Sequence, residues 1–184
     1  MANLKHFCSL FLVLWLAACG QSQQASTQKA DWPLVWLYPD GSCQNTRTQV
    51  LVERRANLIQ WADPMSCTLA GGAWQSWGRD VQVGLSQAMV VPLVTPQNAV
   101  ESGARNWSRE QQIAFINDKQ NLIILDPVSV AERKSLGPDK WLPIERFRCD
   151  YGKRWQAVKA RYQLKMTSDE KQAVAALVKS CPAS

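Results

Sequence analysis

The sequence predicts an α+β domain stapled by disulfide bonds, and three observations lead to this prediction. Short apolar runs that end at turn residues are concentrated in the first half, whereas helical patterns dominate the second half. Four cysteines are spread over the region 31–184. This region is long enough to enclose one hydrophobic core. We therefore expect a single domain with short strands early and helices late.

The predicted domain opens with a strand and a helix. Residues 34–38 (LVWLY) have the composition of a strand, which the turn signal at 39–41 (PDG) ends. Residues 46–59 are predicted to be helical because apolar and long side chains recur there at helical spacing. These side chains are Val50, Leu51, Arg54 and Leu58.

Two further strand predictions follow. A hairpin is predicted around Gly71-Gly72, which separates the strand-like residues 67–70 from 73–75. Residues 89–94 (MVVPLV) are predicted to form a buried strand or its end.

The second half carries four predicted helix starts. Ser108 and Gln111 have the spacing of a capping box, which begins a helix that runs to about residue 117. Asp126 before Pro127 begins another helix. Residues 150–165 form an amphipathic pattern, with an aromatic stripe beside a basic one, and Thr167 with Glu170 caps the last helix.

The N-terminus has the pattern of an export signal. A basic region at Lys5-His6 precedes the apolar run 10–16, which is too short to span a bilayer as a helix. Residues 16–19 (LAAC) resemble the lipobox of bacterial lipoproteins. The resemblance implies that residues 1–18 are removed, that Cys19 carries the lipid, and that the protein faces the periplasm from the outer membrane. Residues 19–30 are expected to form the lipidated flexible tether. The alternative is an ordinary secretory signal with a chance cysteine.

The remaining cysteines fit an oxidising compartment. They are even in number, and no two have the close spacing of a zinc site. Three pairings are possible, and pairing between sequence neighbours is the most economical. We therefore predict the disulfides Cys43–Cys67 and Cys149–Cys181.

The mature chain contains no histidine, because His6 is the only one in the sequence. Catalysis by Ser-His-Asp or Cys-His groups, histidine general bases and histidine zinc sites are therefore excluded. The eight tryptophans that follow the signal are predicted to pack in the core rather than to stack on bases.

Charge is distributed unevenly along the chain. Residues 19–132 carry 8 basic and 10 acidic side chains, whereas residues 133–184 carry 12 basic and 5 acidic ones. A basic final third suits a polyanion such as DNA or an anionic membrane, although a solvated basic face is the simpler interpretation. The candidate DNA-binding residues are Arg133, Lys134, Arg154, Arg161 and Lys165.

From Cys43 onward the chain resembles an HNH-type nuclease domain, in the variant found at the C-termini of some modification-dependent restriction enzymes and in secreted bacterial proteins. Seven ordered stretches carry the resemblance: residues 90–93 (VVPL), 101–107 (ESGARNW), 115–118 (FIND), 121–123 (NLI), 141–143 (WLP), 149–151 (CDY), and Trp155 with Val158-Lys159 and Tyr162. The resemblance implies a ββα-metal-like scaffold with added helices.

The same resemblance implies that the catalytic positions are substituted. Family members place an Asp-His pair immediately before the VVPL stretch, where this chain has Ala88 and Met89. The asparagine expected nine residues after Asn121 is replaced by Val130. The general base, the metal carboxylate and the supporting asparagine are therefore absent. We interpret Met89 and Val130 as core residues.

Three hypotheses follow from these observations. The first is a catalytically degenerate domain, with no cofactor, that binds DNA or an unidentified protein partner in the periplasm. The second is a metal-dependent periplasmic endonuclease with a rearranged site at Glu132 and the other nearby acids. The third is a purely protein-binding module in phage exclusion or secretion. The other nearby acids are Asp80, Asp118, Asp126 and Asp139.

Overall fold

The computed structural model describes residues 30–182. The predicted signal, Cys19 and the tether up to residue 29 lie outside the described residues. The described part contains the predicted mixture of helices and short strands and both predicted disulfides, Cys43–Cys67 and Cys149–Cys181. No helix within residues 30–182 is long and apolar enough to cross a membrane.

The helices and strands follow one another in mixed order. The helices are α1 (Thr46–Glu53), α2 (Pro96–Ser102), α3 (Arg109–Ile116), α4 (Pro127–Arg133), α5 (Glu145–Arg161) and α6 (Ser168–Lys179). The strands are β1 (Gln60–Trp61), β2 (Leu69–Gly71), β3 (Ala73–Gln75), β4 (Gln82–Gly84), β5 (Met89–Pro92) and β6 (Leu122–Leu125). Short 3-10 helices occupy Pro39–Gly41, Ala104–Asn106 and Lys119–Asn121.

The strands form three antiparallel pairs, and β5–β6 is the central one. Met89 faces Leu125 in register at one end of this pair, and Pro92 faces Leu122 at the other. Alternate side chains point to opposite faces of a strand. Val90 and Ile124 therefore enter one apolar cluster, while Val91 and Leu125 enter another. The β5–β6 pair thus forms the wall between two cores, which is why all of β6 is buried.

The larger core lies beneath α5 and α6. Tyr151, Trp155 and Val158 of α5 are buried, as the predicted aromatic stripe requires, and Tyr162 packs against the same cluster. The backbone of α5 approaches α6 closely at Gly152, where a Cβ atom would lie 2.8 Å from Cβ of Leu177. The Cys149–Cys181 disulfide joins α5 to the segment that directly follows α6. Tryptophans contribute to both cores, as predicted.

Three predictions for the first half are wrong. Residues 34–38 form no strand, and Leu34 and Tyr38 are exposed. The helix predicted for residues 46–59 ends at Glu53, and Leu58 is 90% exposed. The two strands beside Gly71-Gly72 do not pair with each other, because β2 pairs with β1 and β3 pairs with β4.

Three of the four helix starts are predicted correctly. Both capping boxes, Ser108 with Gln111 and Thr167 with Glu170, have their reciprocal hydrogen bonds. The Asp126 side chain accepts hydrogen bonds from the first backbone N–H groups of α4. Helix α5 begins at Glu145, five residues before the predicted start, and ends at Arg161.

Candidate functional site

The three positions at which the sequence resemblance implies substituted catalytic residues lie at the start of β5 and on α4. Ala88 immediately precedes β5, is 1% exposed and packs into the second core beside α1. Met89 points to the opposite face of the strand and is 40% exposed, so its interpretation as a core residue is wrong. Val130 is partly buried and packs against the larger core. Thus Met89 and Val130 lie on one side of the β5–β6 pair, and Ala88 lies on the other.

An apolar cleft occupies this side of the β5–β6 pair. We call it the β5–α4 cleft and define it by its apolar walls Val91, Pro92, Pro96, Leu125 and Val130. Its volume is about 400 Å³. Such a volume is within the range of small-molecule sites, roughly 300–1,000 Å³.

The substituted positions do not fit a divalent metal ion. Magnesium and similar hard cations require oxygen ligands, and histidine is the usual nitrogen ligand of transition metals. Ala88 and Val130 have hydrocarbon side chains, and Met89 contributes only a thioether sulfur. Among the side chains that the structure describes, no group of three or more acidic, cysteine or histidine residues is arranged to hold a metal ion.

The acids considered for a rearranged metal site do not form one cluster, and most of them are paired with basic side chains. Asp80 pairs with Arg146, and Asp118 pairs with Arg161 at 3.0 Å. Asp139 lies 3.6 Å from the ammonium group of Lys140. Glu132 is on the exposed side of α4.

The sequence predicts Asp126 as a helix cap, and the structure gives its carboxylate further hydrogen-bond partners. Its carboxylate is 1% exposed and accepts hydrogen bonds from Ser76, Arg79 and Ser129. Burial raises the pKa of Asp126, but the hydrogen bonds from Ser129, Arg79 and Ser76 lower it more, so the pKa falls below its ordinary value. The residue therefore connects the loop after β3 to the start of α4.

Two of the five candidate DNA-binding residues are buried, so their assignment to a DNA-binding surface is wrong. Arg133 is 2% exposed, and its guanidinium donates to the carbonyl oxygens of Pro92, at 2.9 Å, and Leu93. Arg154 is 8% exposed and donates to the carbonyls of Gln120 and Leu122. These carbonyls come from segments far away in the sequence, which a helical pattern cannot reveal.

The other three candidates remain on the surface. Lys134 and Lys165 are exposed, and Arg161 is exposed beside Asp118. Lys134 follows α4 directly and borders the β5–α4 cleft, whereas Lys165 borders a separate cavity of about 300 Å³. The structure therefore does not assemble the five basic residues into one surface.

A buried ion pair links three helices next to that second cavity. The ammonium group of Lys159 is 3.4 Å from the carboxylate of Glu170, and both side chains are at most 5% exposed. Lys159 also donates to Ser102 Oγ at 2.5 Å, and Asn98 donates to Glu170 at 3.0 Å. Burial lowers the pKa of Lys159, and Glu170 opposes this shift. All of these groups have partners, so the network joins α2, α5 and α6 structurally.

The fold and this site define a disulfide-stapled α+β domain with an apolar cleft beside its central strand pair. An "Uncharacterized secreted protein" of Arthroderma benhamiae is 34% identical to the chain over 156 residues, which cover 79% of this chain and 72% of that protein. The chain therefore belongs to the same family as this secreted protein. No family model matches the chain, and no solved structure does.

Proposed function

We propose that this chain is an exported binding protein whose domain has an HNH-type nuclease scaffold without nuclease chemistry. Cys19 anchors it by lipid to the outer membrane, on the periplasmic side. The lipobox-like residues 16–19 support the anchor, and the two disulfides support export. The description of its family member as secreted is compatible with export.

The order of elements around the cleft supports the nuclease-like scaffold. β5 and β6 are antiparallel, and α4 follows β6 directly. This is the strand-strand-helix order that the sequence resemblance implies. The stretch between β5 and β6 carries α2 and α3 and corresponds to the added helices.

The side chains of Met89 and Val130 give this proposal its main support. Met89 projects from β5 on the same face as Val91, and Val130 lines the cleft together with Val91 and Leu125. Side chains of this kind neither abstract a proton nor ligate a hard cation. They form an apolar surface, which contributes binding free energy through burial.

The chemistry of the β5–α4 cleft favours a ligand other than DNA. A DNA surface needs several exposed cations that contact phosphates together. Arg133 and Arg154 are internal, and the walls of the β5–α4 cleft are apolar. DNA binding stays a second candidate, because Lys134, Arg161 and Lys165 are exposed within the basic final third.

A gel-shift series distinguishes these two candidates. The mature Cys19→Ser protein is mixed with a 30-base-pair duplex while the salt concentration rises from low values. We expect no retention at micromolar protein, where non-specific DNA binders typically retain DNA. Retention at low salt that is lost in Lys134→Glu/Arg161→Glu/Lys165→Glu, but kept in Lys153→Glu/Lys171→Glu/Lys179→Glu, would establish the DNA candidate instead. The second triple variant removes the same charge from equally exposed lysines.

A further inference from the structure

The β5–α4 cleft has a strongly one-sided charge. Arg133 and Lys134 are the charged residues among its lining residues, and both are cations. Lys134 is exposed at the rim, whereas Arg133 lies almost fully buried at the wall. The remaining polar lining residues, Thr95, Gln97 and Ser135, are neutral. The site therefore attracts an anion and offers apolar surface next to it.

The charge of Arg133 is not neutralised within the described residues. No carboxylate whose side chain the structure describes forms an ion pair with it, although the other two buried cations of the final third, Arg154 and Lys159, each have one. Arg133 Nε is buried and has no hydrogen-bond acceptor in the part of the chain that the structure describes. The guanidinium instead lies over the ring of Trp141, with 5.5 Å between Cζ and the ring centroid. A buried charge without a counter-ion is costly, so an anionic ligand nearby is stabilised.

The apolar wall of the cleft also limits the class of ligand that can bind there. A peptide brings a backbone N–H and C=O with every residue, and each must find a partner when it is buried. The side chains of Val91, Pro96, Leu125 and Val130, which form most of the apolar wall, offer no such partners. A hydrocarbon chain needs none, and its burial is favourable at roughly 0.8 kcal/mol per CH₂ group.

We propose that the β5–α4 cleft binds a single-chain fatty carboxylate, with its head group at Lys134 and its chain against Val91, Pro96 and Val130. This inference rests on the proposed function, because it assigns the ligand of the face that replaces the hydrolytic site. Lys134 supplies the accessible contact. Arg133 supplies long-range attraction from inside the wall, since its guanidinium is held by the carbonyls of Pro92 and Leu93.

Calorimetric titration of the full mature Cys19→Ser protein with dodecanoate, below its micelle concentration, tests this inference. We expect saturable binding of dodecanoate, at least tenfold weaker binding of dodecanol, and no binding of propionate. The alcohol has the same chain without the charge, and propionate has the charge with almost no chain. Affinity for dodecanoate is expected to fall with rising salt, because the contact at Lys134 is exposed.

Two variants locate the site. Lys134→Glu is expected to weaken dodecanoate binding at least tenfold, because it reverses the charge at the rim and leaves the buried guanidinium in place. Lys140→Glu is the matched control, since Lys140 is equally exposed but borders the neighbouring cavity. It should bind dodecanoate as the unmodified protein does.

Three results would overturn the inference: equal affinity for dodecanoate and dodecanol, equal loss in both lysine variants, or tighter binding of a short apolar peptide through its C-terminal carboxylate. The last result identifies a protein partner for the same cleft. None of these results bears on nuclease activity, whereas metal-dependent DNA cleavage would overturn the proposed function even if dodecanoate bound.

Discussion

At the scale of single residues, the buried carboxylate of Asp126 combines a helix cap with an ion pair to the exposed Arg79. Its carboxylate accepts hydrogen bonds from the first backbone N–H groups of α4. It also accepts hydrogen bonds from Nε and Nη2 of Arg79, the latter at 2.8 Å. Hydrogen bonds to a charged group contribute about 1.5–3 kcal/mol each when they are removed singly. The position of α4, and with it of Val130, therefore depends on this one carboxylate.

The stability of the protein is expected to decline in acid because of Asp126. Its native pKa is lowered, so the unfolded chain binds a proton more readily than the native chain does. The stabilisation is complete above the unfolded pKa of about 3.9 and decreases as the pH falls below it. Asp126→Asn should lower the free energy of unfolding by about 2–4 kcal/mol at neutral pH and should flatten its dependence on pH below about 5.

Urea unfolding at several pH values measures this effect. Asp169→Asn is a suitable control, because Asp169 is an exposed acid in the first turn of α6 and has no ion pair in the described structure. An Asp126→Asn protein with the same acid dependence as the unmodified protein would contradict the assigned role.

At the scale of elements, α6 is attached to the body mainly through α5. The Leu177 side chain fits against Gly152, and the Lys159–Glu170 pair lies between the two helices. The Cys149–Cys181 bridge fixes the far end of α6, across a sequence separation of 32 residues. Without this bridge, α6 keeps its packing contacts in the native state. The unfolded chain, however, loses a constraint.

Cys149→Ala/Cys181→Ala is expected to lower the free energy of unfolding by about 3–4 kcal/mol, the value of the loop-entropy relation for a loop of this size. Far-UV circular dichroism under native conditions should show little loss of helix. Denaturant unfolding measures the change, and Cys43→Ala/Cys67→Ala is the comparison, with a separation of 24 residues. A stability equal to that of the unmodified protein would show that the second bridge does not constrain the unfolded state.

The elements also show which features the sequence can predict. Helix starts were predictable because a cap is a local arrangement of three or four residues, as at Ser108, Asp126 and Thr167. The hairpin at Gly71-Gly72 was not, because its strands pair with partners outside the local segment. Sequence patterns identify strand-like residues but not the register or partner of a short strand.

The candidate site shows the same limit. Ala88, Met89 and Val130 were identified by their place in an ordered series of motifs, but their exposure was not predictable. Arg133 and Arg154 lie next to apolar stripes on their helices, where long charged side chains are usually exposed. Both turn inward because backbone carbonyls at the ends of β5 and β6 need donors, and those strand ends are far away in the sequence.

At the scale of the whole molecule, part of the positive charge of the final third lies in the interior rather than on the surface. Three of the basic residues that make the final third positive are internal: Arg133, Arg154 and Lys159. The excess of positive charge on the surface is thus smaller than the sequence suggests. This favours a solvated basic face over an extended nucleic-acid surface.

The proposed lipid anchor of the protein can be tested in cells. Metabolic labelling with a radioactive fatty acid is expected to mark the protein, and Cys19→Ser should abolish the label, because the thiol of Cys19 is the attachment point that the lipobox resemblance implies. Cys8→Ser is the control, since Cys8 lies inside the predicted signal. Labelling that persists in Cys19→Ser, or no labelling of the unmodified protein, would contradict lipid anchoring.

The proposal that this domain has a nuclease-like scaffold without nuclease chemistry can be tested by plasmid nicking. Purified mature Cys19→Ser protein is incubated with supercoiled DNA and magnesium, manganese, nickel or zinc, with and without EDTA. We expect no EDTA-sensitive cleavage with any of these ions, because Ala88, Met89 and Val130 supply neither a general base nor a hard metal ligand. EDTA-sensitive nicking that disappears in Glu132→Ala, but persists in the control Glu110→Ala, would overturn the proposal and establish a rearranged metal site.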